Sequence, residues 1–315
     1  MSVVEKIKSA KKTAFSFELL PPLKGNGIDG VYRTIDALRE FDPKYINITT
    51  HRSEVVFREN PQGLFERIAE RHRPGTVAVA AAIKNKYNIP VVPHIICSGF
   101  TREETEYVLI DLKFLDINDL LLLRGDKAKS EKGFTPTGHT HATELQAQVN
   151  RFNEGYFLDG SKMKVIDTPF TYGMACYPDK HDEAPNLESD LYWAKQKVDA
   201  GAEYLVTQMF FDNKKYYTFV DMCRNAGIDV PIIPGLKPVT FLNQLTLLPK
   251  IFHTDIPEEF ACELRKCKTD EEATEVGVEW CTMQAKDLVA HHVQSIHFYS
   301  LMATQSVKRV AEQVY

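Results

Sequence analysis

Residues able to do proton, anion and heterocycle chemistry recur in this chain at the ends of short apolar runs. Glu18 stands in Phe15-Ser16-Phe17-Glu18-Leu19-Leu20-Pro21-Pro22, flanked by aromatics and stopped by two prolines that cannot continue a strand ladder. A carboxyl in such apolar company resists ionisation and suits a general acid; the plainer alternative is a half-exposed glutamate on a rim. Arg124-Gly125-Asp126 follows a run of leucines, so a cation, a flexible residue and an anion emerge together. Either they meet a ligand or they form an ion pair that ties down a turn. His94 follows Pro93 in the apolar run 91–97, Thr49 and Thr50 close 45–50, and Tyr177, Pro178 and His181 follow 171–176. Gln208, ahead of Met209-Phe210-Phe211-Asp212, carries an amide able to meet another amide or a heterocycle edge. Gly235-Leu236-Lys237-Pro238 and His297-Phe298-Tyr299 complete the set, the last with a ring for stacking on a flat ligand. Glu18 and Asp126 are the candidate carboxylate pair.

These positions need elements to hold them. Strand-like runs at 13–20, 45–50, 91–97, 120–124, 171–177, 204–211, 231–236 and 295–301 alternate with helical patterns. Several are apolar at consecutive positions, as parallel strands covered on both faces are. Asn60-Pro61 reads as a cap before a first-turn proline, and Thr101-Arg102-Glu103-Glu104 as a capping box. A helix over 187–200 stops at Gly201 and puts Asp190, Trp193, Ala194 and Lys197 on one face. Further helical material over 241–291 precedes the last strand. No Gly-, Pro- or Ser-rich linker divides the chain. The pattern predicts an α/β fold, a (β/α)8 TIM barrel with extra helices before the last strand, in one domain over 1–315. An open doubly wound sheet is the rival, weakened because no GxGxxG follows the first strand. In a barrel, polar residues at strand ends carry the chemistry.

The 315 residues are 43% hydrophobic and 26% charged, which excludes disordered, collagen-like and coiled-coil classes. A net charge of -5 supplies no global field toward nucleic acid or anionic membrane, so neither is expected as a partner, and an anionic ligand needs a local basic site. The opening MSVVEKIKSAKK lacks the apolar run of a signal peptide and no stretch reads as a membrane span, so a cytoplasmic protein is expected. Six cysteines without a CxxC pair read as free thiols, with Cys262 and Cys267 as buried or half-buried packing. His139, His141, His291 and His292 lack a matching second pair of ligands, so no metal is expected. The residues by themselves stop at a barrel enzyme for a planar, polar, anionic ligand.

In order along nearly the whole chain, however, the sequence resembles the methylenetetrahydrofolate reductase family. Phe15 to Pro22 is similar to its SFEFFPP segment, Leu122 to Asp126 to its LRGD, and Ala175 to His181 to its A-x-YP-x-x-H. Gly201 to Asp212 is similar to its DAGA…TQ-FFD, and His297 to Tyr299 to its HFY. The resemblance implies a flavoprotein barrel in which FAD passes a hydride from NADH or NADPH to 5,10-methylenetetrahydrofolate, with ping-pong kinetics and a place in one-carbon metabolism and methionine biosynthesis. Carried over by position, Glu18 would be the acid that opens the folate methylene bridge. Asp126 would tune the flavin and help bind folate, Gln208 would contact nicotinamide or pterin, and Tyr299 would lie at the substrate. Thr49, His94, Arg124, Gly125, Asp126, Ala142, Tyr177, His181, Ala184, Asp190 and Lys197 would line the FAD. Three segments depart from the family: T-Y-G reads Thr49-Thr50-His51, a usual tyrosine is His141, and HFYTLNR reads His297-Phe298-Tyr299-Ser300-Leu301-Met302-Ala303. The resemblance is to the catalytic barrel alone, without regulation by S-adenosylmethionine, and implies a homo-oligomer. Rival readings are another barrel flavoenzyme, proline-dehydrogenase-like, and a flavin- or folate-binding protein without turnover.

Overall fold

The computed structural model describes residues 1–126, 136–165, 168–301 and 303–315. Helix α1 (Val3–Ser9) precedes β1 (Ala14–Leu19), α2 (Asp29–Leu38) and β2 (Tyr45–Ile48). A hairpin of β3 (Glu54–Glu59) and β4 (Phe65–Glu70) follows, then α3 (Thr76–Tyr87), β5 (Val91–Ile96), α4 (Arg102–Phe114), β6 (Asp119–Leu123) and α5 (Ala142–Asn153). Next come β7 (Thr171–Cys176), α6 (Leu187–Asp199), β8 (Tyr204–Thr207), α7 (Asn213–Asn225), β9 (Ile232–Ile233) and β10 (Gly235–Leu236). Three helices, α8 (Gln244–Phe252), α9 (Glu258–Lys266) and α10 (Asp270–Ala290), lead to β11 (Ser295–Phe298) and α11 (Thr304–Val314).

The main sheet has the order β10-β11-β1-β2-β5-β6-β7-β8-β9. Its two terminal strands, β10 and β9, are one stretch of chain interrupted at Pro234, which has no N–H to give to a ladder. The fold is therefore a nearly closed α/β barrel, with α8, α9 and α10 as the extra helices before the last strand.

The chain forms two compact units. The first comprises Met1–Leu19, Arg33–Asn47 and Thr171–Tyr315. In it β1 and β10 flank β11 in parallel, with Phe17 and Leu236 both level with Phe298. Strand β8 pairs in parallel with β7 and β9. Met209, Phe211, Val239, Leu248, Phe260, Leu264 and Ala273 form a buried cluster under α8 to α10, with Trp280 stacked on Phe260 at 4.6 Å. The second unit comprises Leu20–Tyr32 and Ile48–Phe170. There β5 and β6 run parallel, from His94 level with Leu121 to Ile96 level with Leu123. Thr101 caps α4 with both bonds of the capping box, as its sequence pattern predicts.

Four expectations need correction. Asn60-Pro61 starts no helix: the Asn60 side-chain oxygen accepts from the N–H groups of Gln62 and Leu64 at 3.0 and 2.9 Å, which folds a turn between antiparallel β3 and β4. The helix begins at Thr76 instead. Strand β8 ends at Thr207 rather than Phe211, because α10 takes over the freed carbonyls: Trp280 Nε1 donates to Phe211 at 3.0 Å and Gln284 Nε2 to Phe210 at 3.2 Å. Helix α6 does stop at Gly201, φ +111°, but Trp193 is 51% exposed beside Tyr192 and leaves the buried face to Asp190 and Ala194. All six cysteines are free, and Cys262 is exposed on α9 rather than packed. Among the described residues no helix is long and apolar enough to cross a membrane.

Candidate active site

Strand ends of the first unit assemble one polar tier. Extending the register one residue past Phe17, Phe298 and Leu236 puts Glu18, Tyr299 and Lys237 side by side at the ends of β1, β11 and β10. One tier below, Ser16 Oγ lies 3.0 Å from His297 Nδ1, and the His297 ring stacks on Tyr45 at 6.1 Å. Alternation along a strand therefore directs Glu18 to the same side as Ser16, and Tyr299 to the same side as His297. Tyr299 Oη donates to the Thr207 carbonyl at 2.6 Å, and its ring covers Gly235, where a Cβ would meet ring carbon at 2.5 Å. Ser300 Oγ donates to the Glu18 carbonyl and anchors the end of β1. Burial pushes the Glu18 carboxyl up to about 8, against the lowering pull of the Lys237 ammonium. Burial lowers Lys237 in turn, and raises Tyr299 far above the ordinary phenol range. Glu18 is thus a neutral acid at neutral pH. Gln208 stands just past β8, its N–H on the Cys176 carbonyl and its side-chain oxygen accepting from Met209 N–H at 2.9 Å.

Helix α6 builds a second polar group in the same unit. Asn186 caps it, and the Asp190 carboxylate accepts from His181 N–H at 2.7 Å. Two turns on, Lys197 Nζ donates to the Ala175 carbonyl at 2.8 Å and lies 5.9 Å from the Tyr177 ring centre. Tyr177 meets His181 edge-on at 4.7 Å. Ala184 is buried, its N–H on the His181 carbonyl and its own carbonyl accepting from Lys180 at 2.6 Å. Burial raises Asp190 and lowers Lys197, while each offsets the other's shift. The residues predicted at 177–197 are therefore brought together around one loop and one helix face.

The second unit gathers the other predicted residues. Thr50 Oγ1 donates to the His94 carbonyl at 2.5 Å, and Thr49 Oγ1 lies 3.1 Å from His51 Nε2. Burial, helped by neighbouring His51, drops His94 to about 3, so its imidazole is neutral. Past β6, Ser98 fixes the Arg124-Gly125-Asp126 turn: its N–H donates to Arg124 O at 2.9 Å and its Oγ to Asp126 O at 2.6 Å. Asp126 is exposed, while Glu18 is buried. Gly125 has φ +79°, and a Cβ there would lie 3.1 Å from Ser98 Cβ and 3.2 Å from Ile96 Cβ. Gly125→Ala is expected to cost about 1–2 kcal/mol, read as a lowered thermal midpoint, because it adds left-handed strain to a crowded site. Ala142 opens α5 behind the N-cap residue His141, whose side chain makes no cap bond.

Sequence reasoning assigned no role to Ser300 or Asn47, and it named Lys237 only within the strand-end group Gly235-Leu236-Lys237-Pro238. Lys237 is only 8% exposed, and its signal was a lone cation in the apolar stretch Ile232 to Val239. Asn47 is fully buried in β2, where its amide sits one alternation from Tyr45. Met302 lies outside the described residues, and Ala303 is the N-cap of α11. Among the described residues no cluster of three or more His, Cys, Asp or Glu could hold a metal ion.

Comparison with known proteins decides the family, because residues 3–315 match methylenetetrahydrofolate reductase. The chain belongs to the methylenetetrahydrofolate reductase family. A family relative in Arabidopsis thaliana, methylenetetrahydrofolate reductase (NADH) 1, is 30% identical over 97% of this chain and 49% of its own length. The chain thus spans about half the length of that relative. The 5,10-methylenetetrahydrofolate reductase of Salmonella typhimurium is 30% identical over 91% of this chain and 85% of its own. Among solved structures, a Clostridium thermocellum protein that binds two copies of 5-methyl-5,6,7,8-tetrahydrofolic acid shares the fold, with TM-score 0.57 and 13% identity over 98% of this chain and 97% of that one.

Proposed function

We propose that the chain is a catalytic barrel, one domain over 1–315, that reduces 5,10-methylenetetrahydrofolate to 5-methyltetrahydrofolate with NADH or NADPH and FAD. The observation that carries this is Glu18, a buried carboxyl at a strand end that keeps its proton to about pH 8. Membership of the family supports the reaction, and the fold shared with a folate-binding protein is consistent with it.

Each unit carries groups of a kind that suit FAD. In the first unit Tyr177, His181, Ala184, Asp190 and Lys197 would offer an aromatic face, backbone groups, a carboxylate for hydroxyls and a half-buried cation for phosphate. In the second, Thr49, His94, Arg124, Gly125, Asp126 and Ala142 would supply hydroxyl, neutral imidazole, guanidinium, carboxylate and the amide at a helix start. Bound FAD supplies the two-electron chemistry that carries hydride from nicotinamide to folate. The chain's own work is proton and ligand management. Glu18 gives its proton to the bridge nitrogen N10; the C–N bond breaks with its electron pair going to that nitrogen, and the N5 lone pair forms the iminium that accepts hydride. Asp126 binds the pterin and tunes the flavin electrostatically, Gln208 meets nicotinamide or pterin, and Tyr299 bounds the substrate side. Donor and folate take turns, giving ping-pong kinetics. We assign the protein to the cytoplasm, as a homo-oligomer.

Anaerobic stopped-flow tests this. Protein reconstituted with FAD is mixed with NADH or NADPH and then with methylenetetrahydrofolate. Bleaching followed by folate-dependent reoxidation is the expected result. Bleaching without reoxidation would point to another flavoenzyme, and neither signal to a binding protein.

A further inference from the structure

Lys237 is one of the few cations of the first unit that is almost wholly buried, at 8% exposure, and the two residues beside it, Leu236 and Pro238, are apolar. A buried ammonium is costly unless something in reach compensates it. The strand register supplies the compensation. Leu236 of β10 and Phe17 of β1 are both level with Phe298 of β11, so the next residues, Lys237 and Glu18, stand on either side of Tyr299. Two inter-strand spacings separate their backbones, roughly 10 Å, and the Lys237 ammonium acts on the Glu18 carboxyl through space. The Tyr299 phenol between them donates to the Thr207 carbonyl.

We propose that Lys237 is the positioning residue of the general acid: its ammonium holds Glu18 in the range where the carboxyl is both protonated and able to give its proton up. This rests on the proposed folate reduction. When the proton leaves Glu18 for the bridge nitrogen, a carboxylate remains in an apolar tier, and the ammonium stabilises that charge without itself changing protonation. Burial alone pushes Glu18 upward and Lys237 opposes it. The other titratable groups around the pair are Tyr299 of β11 and, beyond it, Tyr45 of β2 with Cys176 and Tyr177 at the end of β7. Cys281 of α10 faces Lys237. Burial keeps Cys281 and Tyr45 neutral, each pushed up to about 12, and Cys176 is raised as well, so among the described groups around the pair Lys237 is the one that draws Glu18 back down.

The test uses FAD-loaded wild type, Lys237→Met, Lys237→Gln and Lys237→Arg. The protonated-carboxyl infrared band that Glu18→Gln removes is followed against pH, beside the rate of folate-dependent reoxidation. In wild type the band is expected to titrate near pH 8. In Lys237→Met its midpoint and the upper limb of the reoxidation profile move up together by about one pH unit, the plateau rate falls about threefold, and Lys237→Arg restores both. Lys237→Gln is read the same way should Lys237→Met fail to fold. Neutral variants whose midpoint and limb stay at the wild-type pH would overturn the role of Lys237. Wild type that never reoxidises with folate would instead overturn the proposed reaction, and the infrared midpoint would still decide on Lys237.

Discussion

Glu18→Gln is expected to bind FAD and accept reduction by nicotinamide as wild type does, and to lose folate-dependent reoxidation by about 10³-fold. Glutamine matches the shape of the neutral acid, and the Ser300 bond to the residue 18 carbonyl is untouched by the change. What disappears is the transferable proton. The same carboxyl sets the pH dependence of wild type, whose folate half-reaction should decline as pH rises through about 8. Stability carries the opposite mark of this residue. The native carboxyl titrates near 8 and the unfolded one near the ordinary 4.5, so between those values the unfolded chain binds fewer protons and native stability falls with rising pH. Glu18→Gln removes that penalty. Its thermal midpoint should match wild type near pH 4.5 and exceed it at pH 8, by the equivalent of about 4 kcal/mol. Reoxidation of the variant at the wild-type rate would take Glu18 out of the proton step, and superimposable stability profiles would contradict its burial as a neutral acid.

Gly277→Ala is expected to be the most damaging single-methyl change, costing about 3 kcal/mol. A Cβ at Gly277 would lie 2.0 Å from the Val239 carbonyl oxygen and 2.8 Å from its carbonyl carbon and nitrogen. Backbone cannot swing aside as a long side chain can, so α10 must back away from the segment after β10. That contact sits within the cluster of Phe211, Val239, Leu248 and Phe260, and the same helix holds the chain after β8 through Trp280 and Gln284. A loss of this size lowers the thermal midpoint by roughly 4–5 °C in a chain of 315 residues. Because Val239 is two residues from Lys237, the variant should also disturb the Glu18 titration. An unchanged melting curve would mean that α10 does not pack against Val239 so closely.

Much of this molecule is written locally. The alternation of short apolar runs with helical patterns determined the order of β and α elements, and consecutive apolar positions such as those of β6 marked strands covered on both faces. The Thr101 capping box and the stop at Gly201 are properties of a few neighbouring residues, and they fold as their sequence implies. Aromatics and prolines around Glu18 likewise announced its burial. Other features depended on partners far along the chain. Asn60-Pro61 carries the same residues that begin helices, and the choice of turn came from its side-chain bonds within the hairpin of β3 and β4. The apolar run after Tyr204 reads as strand to Phe211, yet Trp280 and Gln284 claim its last carbonyls and end the ladder at Thr207. Lys237 reads only as a cation in a strand-end group until β10, β11 and β1 align and set it one strand away from Tyr299 and two from Glu18. Propensity and periodicity act over a turn or a strand, whereas the desolvation and the neighbouring charge that set the titration of Glu18 arise only when distant strands pair in one sheet.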